Sequence, residues 1–374
     1  MTVTPVELDD ADADVPPPVP AGRRSATWGL TWHGVRTVAA LELRQRVRST
    51  RWIVALVVWF VVVGGITALV TGALGALDED AQNNGAIVFG AVTFLVLGLG
   101  LLVTPTLTST AVNGDRAAGT LATLQVTLLT PAEIATGKLL AAWTSACAFL
   151  VVSLPFLLLA LLLGSTPPTA LLAAVLLVAA LLAAVCGIGL GWSAVVARTA
   201  GSTVLTFVTV AGLTVFTPVL FGLTFPVVTQ TEQVMVYGPP DGEWMGEDVP
   251  ACERTERPRE VSHTERTWWL LAANPFVVVA DAAGSPSDPY VDEPLGAIRE
   301  GVRDLRLGPP AERYECWWGQ DTTPPPDPRD GANPSPVWPY GLAFNVLLGA
   351  GGFVVAVRRL RVPQRHLPRG TRVA

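Results

Sequence analysis

Charged residues are scarce in this 374-residue chain and are missing from its longest apolar runs. Only 15% of the residues are Asp, Glu, Lys or Arg and 50% are hydrophobic, whereas a soluble globular domain carries about 25% charged residues. Six runs without charge are each long enough to cross a bilayer, which takes about 20 helical residues. These runs are residues 52–77, 86–112, 139–163, 170–197, 202–226 and 338–357. The composition excludes a soluble globule and predicts an all-α polytopic membrane protein with six transmembrane helices.

The chain also lacks a phosphate-binding loop. Such a loop needs Gly-x-x-x-x-Gly-Lys followed by Ser or Thr, because successive backbone donors must surround the phosphates. The one Gly-Lys pair, Gly137-Lys138, is followed by Leu139, and Ala132 stands where the first glycine belongs. We therefore expect this chain not to bind ATP by that route.

Other catalytic and coupling groups are missing too. Ion-coupled transporters place Asp, Glu, His or Arg inside the membrane, and the six runs contain none of them. The three histidines, His33, His263 and His366, are far apart in sequence. We expect no metal site, no catalytic residue and no cofactor in this chain, and an energy source outside it.

Basic residues are distributed unevenly around the runs. If both termini are cytoplasmic, the inner segments (1–51, 113–138, 198–201 and 358–374) hold 16 basic and 8 acidic residues. The outer segments (78–85, 164–169 and 227–337) hold 9 basic and 23 acidic residues. Positive charge beside a span stays in the cytoplasm, so the pattern supports a multi-pass protein with both termini inside.

Arginine accounts for 24 of the 25 basic residues. This usage is typical of GC-rich coding and predicts a bacterial plasma membrane. Arginines beside a span predict contact with anionic membrane lipid. No basic patch interleaved with aromatic residues accompanies them, so nucleic-acid binding is not expected.

The segments outside the spans differ in composition. Residues 1–27 begin acidic and proline-rich and are predicted to form a disordered cytoplasmic tail rather than a signal peptide. Residues 28–51 predict an interfacial connecting helix, with Trp28 and Trp32 at headgroup level. Residues 358–374 predict a basic cytoplasmic tail.

The loop 113–138 carries two local helix signals. Leu121 and Leu124 have helical spacing, which predicts a short amphipathic helix over residues 115–124. At Thr130 a second helix is predicted to begin, with Pro131 at its first position and Glu133 completing a capping box. This second helix should continue into the third span.

The segment 227–337 is much longer than a connection between spans requires and predicts a small extracytoplasmic domain. Within it, residues 268–284 are apolar but broken at Asn274-Pro275, which predicts an interfacial or re-entrant helix. Cys252 and Cys316 lie in the same segment and are candidates for a disulfide, with two free thiols as the alternative. Cys147 and Cys186 fall within spans and are expected to be small packing residues.

Several of these segments together resemble the permeases of type-2 ABC transporters. The similar segments are residues 40–44, the loop 113–138, the turn after residues 193–198, the Asn274-Pro275-Phe276 segment and the final span. The resemblance implies that the loop 113–138 meets a separate ATPase. Its implied coupling residues are Asp115, Arg116, Gly119, Thr120, Leu121, Leu124, Thr130, Pro131, Glu133, Gly137 and Lys138.

The resemblance also implies the partners. Two permease copies, identical or paralogous, would form the path, and each partner ABC ATPase would bind ATP and Mg²⁺. Export is the usual direction for this type. An alternative is a membrane-anchored scaffold or sensor with an extracytoplasmic ligand-binding loop, and a further one is a polytopic membrane enzyme, for which no convincing set of polar groups is present. The substrate-binding residues are unknown, although an uncharged path suits lipid-like or amphipathic cargo better than highly charged cargo.

Overall fold

The computed structural model describes residues 27–77, 84–121, 129–164, 166–239, 252–284, 293–316 and 335–361. Six helices in these ranges are long and apolar enough to span a membrane, which confirms the predicted polytopic helical fold. In chain order the helices are α1 (Trp32–Val47), α2 (Thr50–Leu77), α3 (Asn84–Thr108), α4 (Asn113–Ala117), α5 (Pro131–Leu162), α6 (Pro168–Val195), α7 (Thr199–Ala211), α8 (Thr217–Val228), α9 (Trp269–Ala272), α10 (Pro275–Ala283), α11 (Pro294–Leu307) and α12 (Trp338–Arg359). Spans 1 to 4 are α2, α3, α5 and α6, span 5 runs from α7 through α8, and span 6 is α12.

The connecting helix α1 is shorter than predicted. It begins at Trp32, because Thr31 caps it by accepting a hydrogen bond from the Gly34 amide, and it ends at Val47. Trp28 lies outside the helix, and both Trp28 and Trp32 are exposed. Helix α1 packs along the first turns of α5, so it is attached to the bundle rather than separate from it.

The two ends of the bundle differ. One end holds α1, α4 and the end of α12, and we call it the arginine-rich end after Arg44, Arg46, Arg48, Arg51, Arg358 and Arg359. The other end holds the strands and is called the sheet end. Spans 2 and 4 are the most covered by protein, whereas spans 1 and 5 leave most of their apolar surface exposed.

Span 6 lies close to span 4 because glycines face each other. A Cβ at Gly191 would lie 2.6 Å from the Cα of Gly352, and a Cβ at Gly187 would overlap the backbone of Gly349. Small residues at such positions let helix backbones approach, which is how membrane helices gain packing contacts.

Span 5 is interrupted by a π-helical segment, Gly212–Phe216. The next residue but one, Pro218, has no amide hydrogen, so the Thr214 carbonyl loses its usual partner four residues on. The side-chain amide of Asn274 donates to that carbonyl at 2.9 Å and to the Thr217 hydroxyl at 3.1 Å. Asn274 thus stabilises the irregular turn of span 5.

The segment 268–284 forms two short helices, α9 and α10, separated at Asn274. The Asn274 side chain caps α10 by accepting from the Phe276 amide at 2.8 Å. Val278, Val279 and Ala280 are fully buried and belong to the main core of the spans. Of the two predicted possibilities, this burial favours a helix inserted among the spans over one lying on their surface.

A three-stranded sheet, which the sequence did not predict, covers the sheet end. Strands β1 (Thr229–Gly238) and β2 (Glu253–Ser262) are antiparallel, and β3 (Glu312–Tyr314) runs parallel to β1, in the order β2-β1-β3. In the register of β1 and β2, Gln233 is opposite Pro258. Pro258 is compatible with β2 because β2 is an edge strand in the described sheet.

Cys252 and Cys316 form a disulfide in this structure, with their Cα atoms 6.1 Å apart. Cys252 directly precedes β2, and Cys316 follows β3 by two residues. The bond therefore joins the segments beside the two outer strands. The sequence interval 253–315 is closed into a loop, part of which lies outside the described residues.

Candidate functional site

Glu133 joins the N-termini of α1 and α5. Thr130 accepts a hydrogen bond from the Glu133 amide at 3.1 Å, and one carboxylate oxygen of Glu133 accepts from the Thr130 amide at 2.8 Å. With Pro131 at the first helical position, this capping box confirms the predicted start of the helix. The other carboxylate oxygen accepts from the Thr31 amide at 2.8 Å and from its hydroxyl at 2.5 Å. Because helix N-termini carry partial positive charge, a single carboxylate stabilises both helices.

Two glycines let α1 lie this close to α5. A Cβ at Gly34 would lie 2.7 Å from the carboxylate carbon of Glu133, and a Cβ at Gly137 would lie 2.5 Å from the Cβ of Val38. Any larger side chain at either glycine would separate the two helices. The family resemblance pointed to Gly137, whereas nothing in the local sequence pointed to Gly34.

Lys138 connects three helices through a buried ammonium group. Its side chain is 1% exposed and its Nζ lies 2.5 Å from a carboxylate oxygen of Glu42 in α1 and 2.5 Å from one of Asp115 in α4. A buried charge is tolerated when it is paired and hydrogen-bonded. The pairing therefore requires α1, α4 and α5 to keep their relative positions, and the predicted residues Asp115 and Lys138 do come together.

The predicted helix over residues 115–124 is interrupted at residues 118–119 in the described part of the loop. Helix α4 begins earlier, at Asn113, and ends at Ala117. Gly119 has φ +73°, a left-handed conformation that breaks the helix and that glycine adopts without steric cost. Thr120 and Leu121 are helical again, so the leucine spacing, which begins at Leu121, did not show the break that precedes it. Leu124 lies outside the described residues.

Residues 116–120 are exposed and lie between buried positions. They comprise the end of α4, the turn at residues 118–119 and Thr120, and we call them the exposed turn. Arg116, Gly119 and Thr120 project from the bundle, whereas Leu121 is buried in a cluster with Val112 and other residues of α5, α6 and α12. The predicted residues thus separate into two groups. One group is exposed, and the other anchors the turn to the spans.

Asn113 anchors the beginning of α4 to spans 4 and 5. Its side-chain amide donates to the Ser202 hydroxyl at 2.7 Å and to the Val196 carbonyl at 3.1 Å. The Ser193 hydroxyl accepts from the amides of Val112 and Asn113 at 2.9 and 3.2 Å. These residues were not predicted, although Asn113 is the first strongly polar residue after a long apolar run, which is a signal the sequence did offer.

A second buried ion pair lies at the sheet end and was also not predicted. Asp281 of α10 accepts from the Arg303 Nε at 2.5 Å through one oxygen. Its other oxygen accepts from the amides of Val337 and Trp338, each at 2.7 Å, at the start of span 6. Asp281 therefore holds α11 against α10 and caps α12.

The polar side chains around α4 contact other helices. Among the described residues, no group of three or more His, Cys, Asp or Glu side chains is arranged to hold a metal ion. The polar side chains here are used in helix caps and ion pairs that join α1, α4, α5 and the turn between spans 4 and 5. Helix α4 is therefore joined by side-chain contacts to spans 3, 4 and 5.

The family model described as ABC-2 family transporter protein matches residues 36–278. The match begins in α1, includes the exposed turn and both sets of buried anchors around α4, and ends in α10. No curated protein matches the chain.

Proposed function

The chain belongs to the ABC-2 family of transporter proteins and is a membrane permease subunit of an ABC transporter, and we propose that it couples ATP hydrolysis by a separate ATPase to substrate export. In this proposal the exposed turn 116–120 contacts the ATPase. ATP and Mg²⁺ are bound by the ATPase and not by this chain.

The observation that carries the proposal is the contrast between the exposed turn and its buried surroundings. Residues 116–120 are open to solvent, whereas Asn113, Leu121 and Lys138 on either side are buried. A partner pressing on the turn would displace α4. Since α4 is hydrogen-bonded to spans 4 and 5 and paired with the first turns of span 3, those spans would move with it.

The distribution of charges supports an orientation in the membrane. The arginine-rich end would face the cytoplasm of a bacterial cell, as the distribution of basic residues supports. The ATPase would then have access to the exposed turn, and both chain termini would lie on the same side. The sheet end, with its disulfide, would lie outside the plasma membrane, where disulfides persist.

A second permease copy, identical or paralogous, completes the proposed path. Spans 1 and 5 have 17% and 22% of their apolar windows buried, against 56% for spans 2 and 4. Their exposed faces supply apolar surface for a partner permease as well as for lipid. An exporter with an uncharged path between two copies would suit amphipathic cargo better than highly charged cargo.

The test uses two substitutions on the exposed turn and, as a control, one substitution at a glycine outside it. We expect Arg116→Glu and Gly119→Val to reduce co-purification of an ATPase encoded beside this chain, and to reduce ATP-driven transport in vesicles. Val at a positive φ is a steric outlier. Gly114→Ala is the control, because a Cβ at Gly114 would meet only the Thr110 Cβ at 3.6 Å.

The melting temperatures of all three variants are measured in detergent to separate docking from folding. ATPase binding and transport that stay unchanged in Arg116→Glu and Gly119→Val would contradict the docking role. Equal losses in the Gly114→Ala control would do the same, because they would show that any change in α4 has this effect.

A further inference from the structure

A groove at the arginine-rich end runs between spans 1 and 2. It has a volume of about 730 Å³, within the range of roughly 300–1,000 Å³ found for small-molecule sites. Its walls come from the end of α1, the first turns of α2 and the last turns of α3, with Phe149 of α5 at its base. None of the described residues that line it is acidic.

The lining changes from polar to apolar along the groove. The polar end is formed by Gln45, Arg46, Ser49, Arg51, Thr106 and Thr110. The apolar part is lined by the apolar residues of α2 between positions 52 and 62 and by those of α3 between positions 99 and 107. At the rise of an α-helix these stretches are roughly 12–15 Å long, which is about half of a hydrocarbon core of about 30 Å. The apolar part of the groove therefore has the length of one leaflet.

Arg46 places an unused donor at the polar end. Its Nη2 donates to the Leu107 carbonyl at 3.0 Å, one of the last-turn carbonyls of α3 that have no helical partner. Its Nη1 is buried and has no hydrogen-bond partner in the described part of the chain. A buried charged donor without an acceptor is unfavourable. The site at Arg46 is thus incomplete until an acceptor is bound.

Arg51 adds a second guanidinium group to the same end of the groove. The carboxylate of Glu42 interacts with Arg46, but it is paired with Lys138 and does not line the groove. The two guanidinium groups match the oxygens of a phosphate, since arginine forms charge-assisted hydrogen bonds with it. A free phosphate ion would leave the apolar part empty. A molecule with a phosphate at one end and a hydrocarbon chain of one leaflet's length fills both parts.

We propose that this groove binds an anionic glycerophospholipid from the leaflet at the arginine-rich end. Its phosphate accepts hydrogen bonds from Arg46 and Arg51, and its acyl chain lies along Trp52 and Leu102. The bound lipid joins the connecting helix α1 to spans 1 and 2. Because α1 is also attached to α5 through Glu133, the lipid would affect the position of the helix beside the exposed turn.

The experiment measures lipid retention by native mass spectrometry of the full chain, loaded with phosphatidylglycerol or phosphatidylcholine. Arg51→Gln removes one guanidinium group and leaves the hydrogen bond from Arg46 to the Leu107 carbonyl in place. Ala55→Trp fills the apolar part of the groove without removing a charge. Arg48→Gln is the matched control, because Arg48 is exposed nearby but does not line the groove. We expect retained phosphatidylglycerol to fall roughly tenfold in Arg51→Gln, as loss of a charge-assisted hydrogen bond implies, and to fall also in Ala55→Trp. The Arg48→Gln control should retain lipid as the original chain does.

Four outcomes would overturn the proposal. Equal loss in Arg48→Gln would show unspecific attraction to basic residues, and equal retention of phosphatidylcholine would show that the headgroup charge is not recognised. Loss of dimer with unchanged lipid in Ala55→Trp would show that a second copy occupies the groove. Competition by inorganic phosphate as strong as by phosphatidylglycerol would assign the site to a free anion.

Discussion

Replacing Lys138 by Met tests whether the buried ion pairs hold the connecting helix and the exposed turn to span 3. Met keeps the length of the side chain but leaves the carboxylates of Glu42 and Asp115 without their shared cation. Breaking a fully buried pair costs about 3–5 kcal/mol. The side chains of Glu42 and Asp115 are 20% and 29% exposed, so water partly solvates the two unpaired carboxylates. We therefore expect the free energy of unfolding to fall by about 2–4 kcal/mol.

The assay is thermal unfolding of the purified chain in detergent, followed by size-exclusion chromatography. The triple variant Lys138→Met, Glu42→Gln, Asp115→Asn removes all three charges, and it should recover most of the stability because no unpaired buried charge remains. Arg116→Met, an exposed charge next to Asp115, is the control and should change stability by less than about 0.5 kcal/mol. The reasoning fails if Lys138→Met melts like Arg116→Met, or if the triple variant is as unstable as the single one.

Further outcomes are expected at other positions. Gly137→Ala should lower the melting temperature, because the added methyl overlaps the connecting helix, and Gly65→Ala, where the methyl meets open space, should not. Asp281→Asn should destabilise the chain by about 3 kcal/mol, since it leaves a buried guanidinium group without its counter-ion. The pKa of His263 is raised because its protonated ring donates hydrogen bonds to Glu232 and Glu265. Its stabilising contribution is therefore fully present below pH about 6.5 and is lost as the pH rises through the raised pKa.

Each of these outcomes has a direct check. Melting temperatures of the two glycine variants are compared in the same detergent, and equal values would contradict the close approach of α1 to α5. For Asp281→Asn, the change Arg303→Met in the same chain should restore part of the loss, and a further loss would contradict the ion-pair explanation. For the histidine, His263→Gln is compared with the original chain between pH 5.5 and 8.5. If the free energies of unfolding of the two chains change with pH in parallel, the His263 contacts do not contribute to the pH dependence of stability.

The spans and the capped helix start were predictable because their causes are local. A run of about 20 uncharged residues has few alternatives to a membrane helix, and the signals at Thr130, Pro131 and Glu133 lie within four residues. The partners of Lys138 lie 96 and 23 residues away, so their pairing depends on how α1 and α4 pack. Sequence spacing alone does not give that packing.

The outer sheet was missed for a different reason. β2 is dominated by charged residues, including Glu253, Arg254, Glu256 and Arg257, and it contains a proline, so it has neither the apolar alternation nor the composition of a typical strand. Strand β2 pairs with β1 along its whole length, with Thr229 opposite Ser262 at one end and Gly238 opposite Glu253 at the other. The turn at Gly119 was not predicted because leucine periodicity does not reveal a positive φ.

Helix α5 explains why a turn at one end of the bundle can influence the other end. It has 32 residues and is therefore about 48 Å long, which exceeds a hydrocarbon core of about 30 Å. Its first eight residues, 131–138, precede the apolar run and carry both Glu133 and Lys138. At the opposite end, the backbone of Gly164 lies so close to Gly85 at the start of α3 that a Cβ there would overlap it. In the proposed coupling, a displacement of α4 would reach α5 through a buried ion pair, and a continuous helix would carry it to the start of span 2 with no flexible loop between to absorb it.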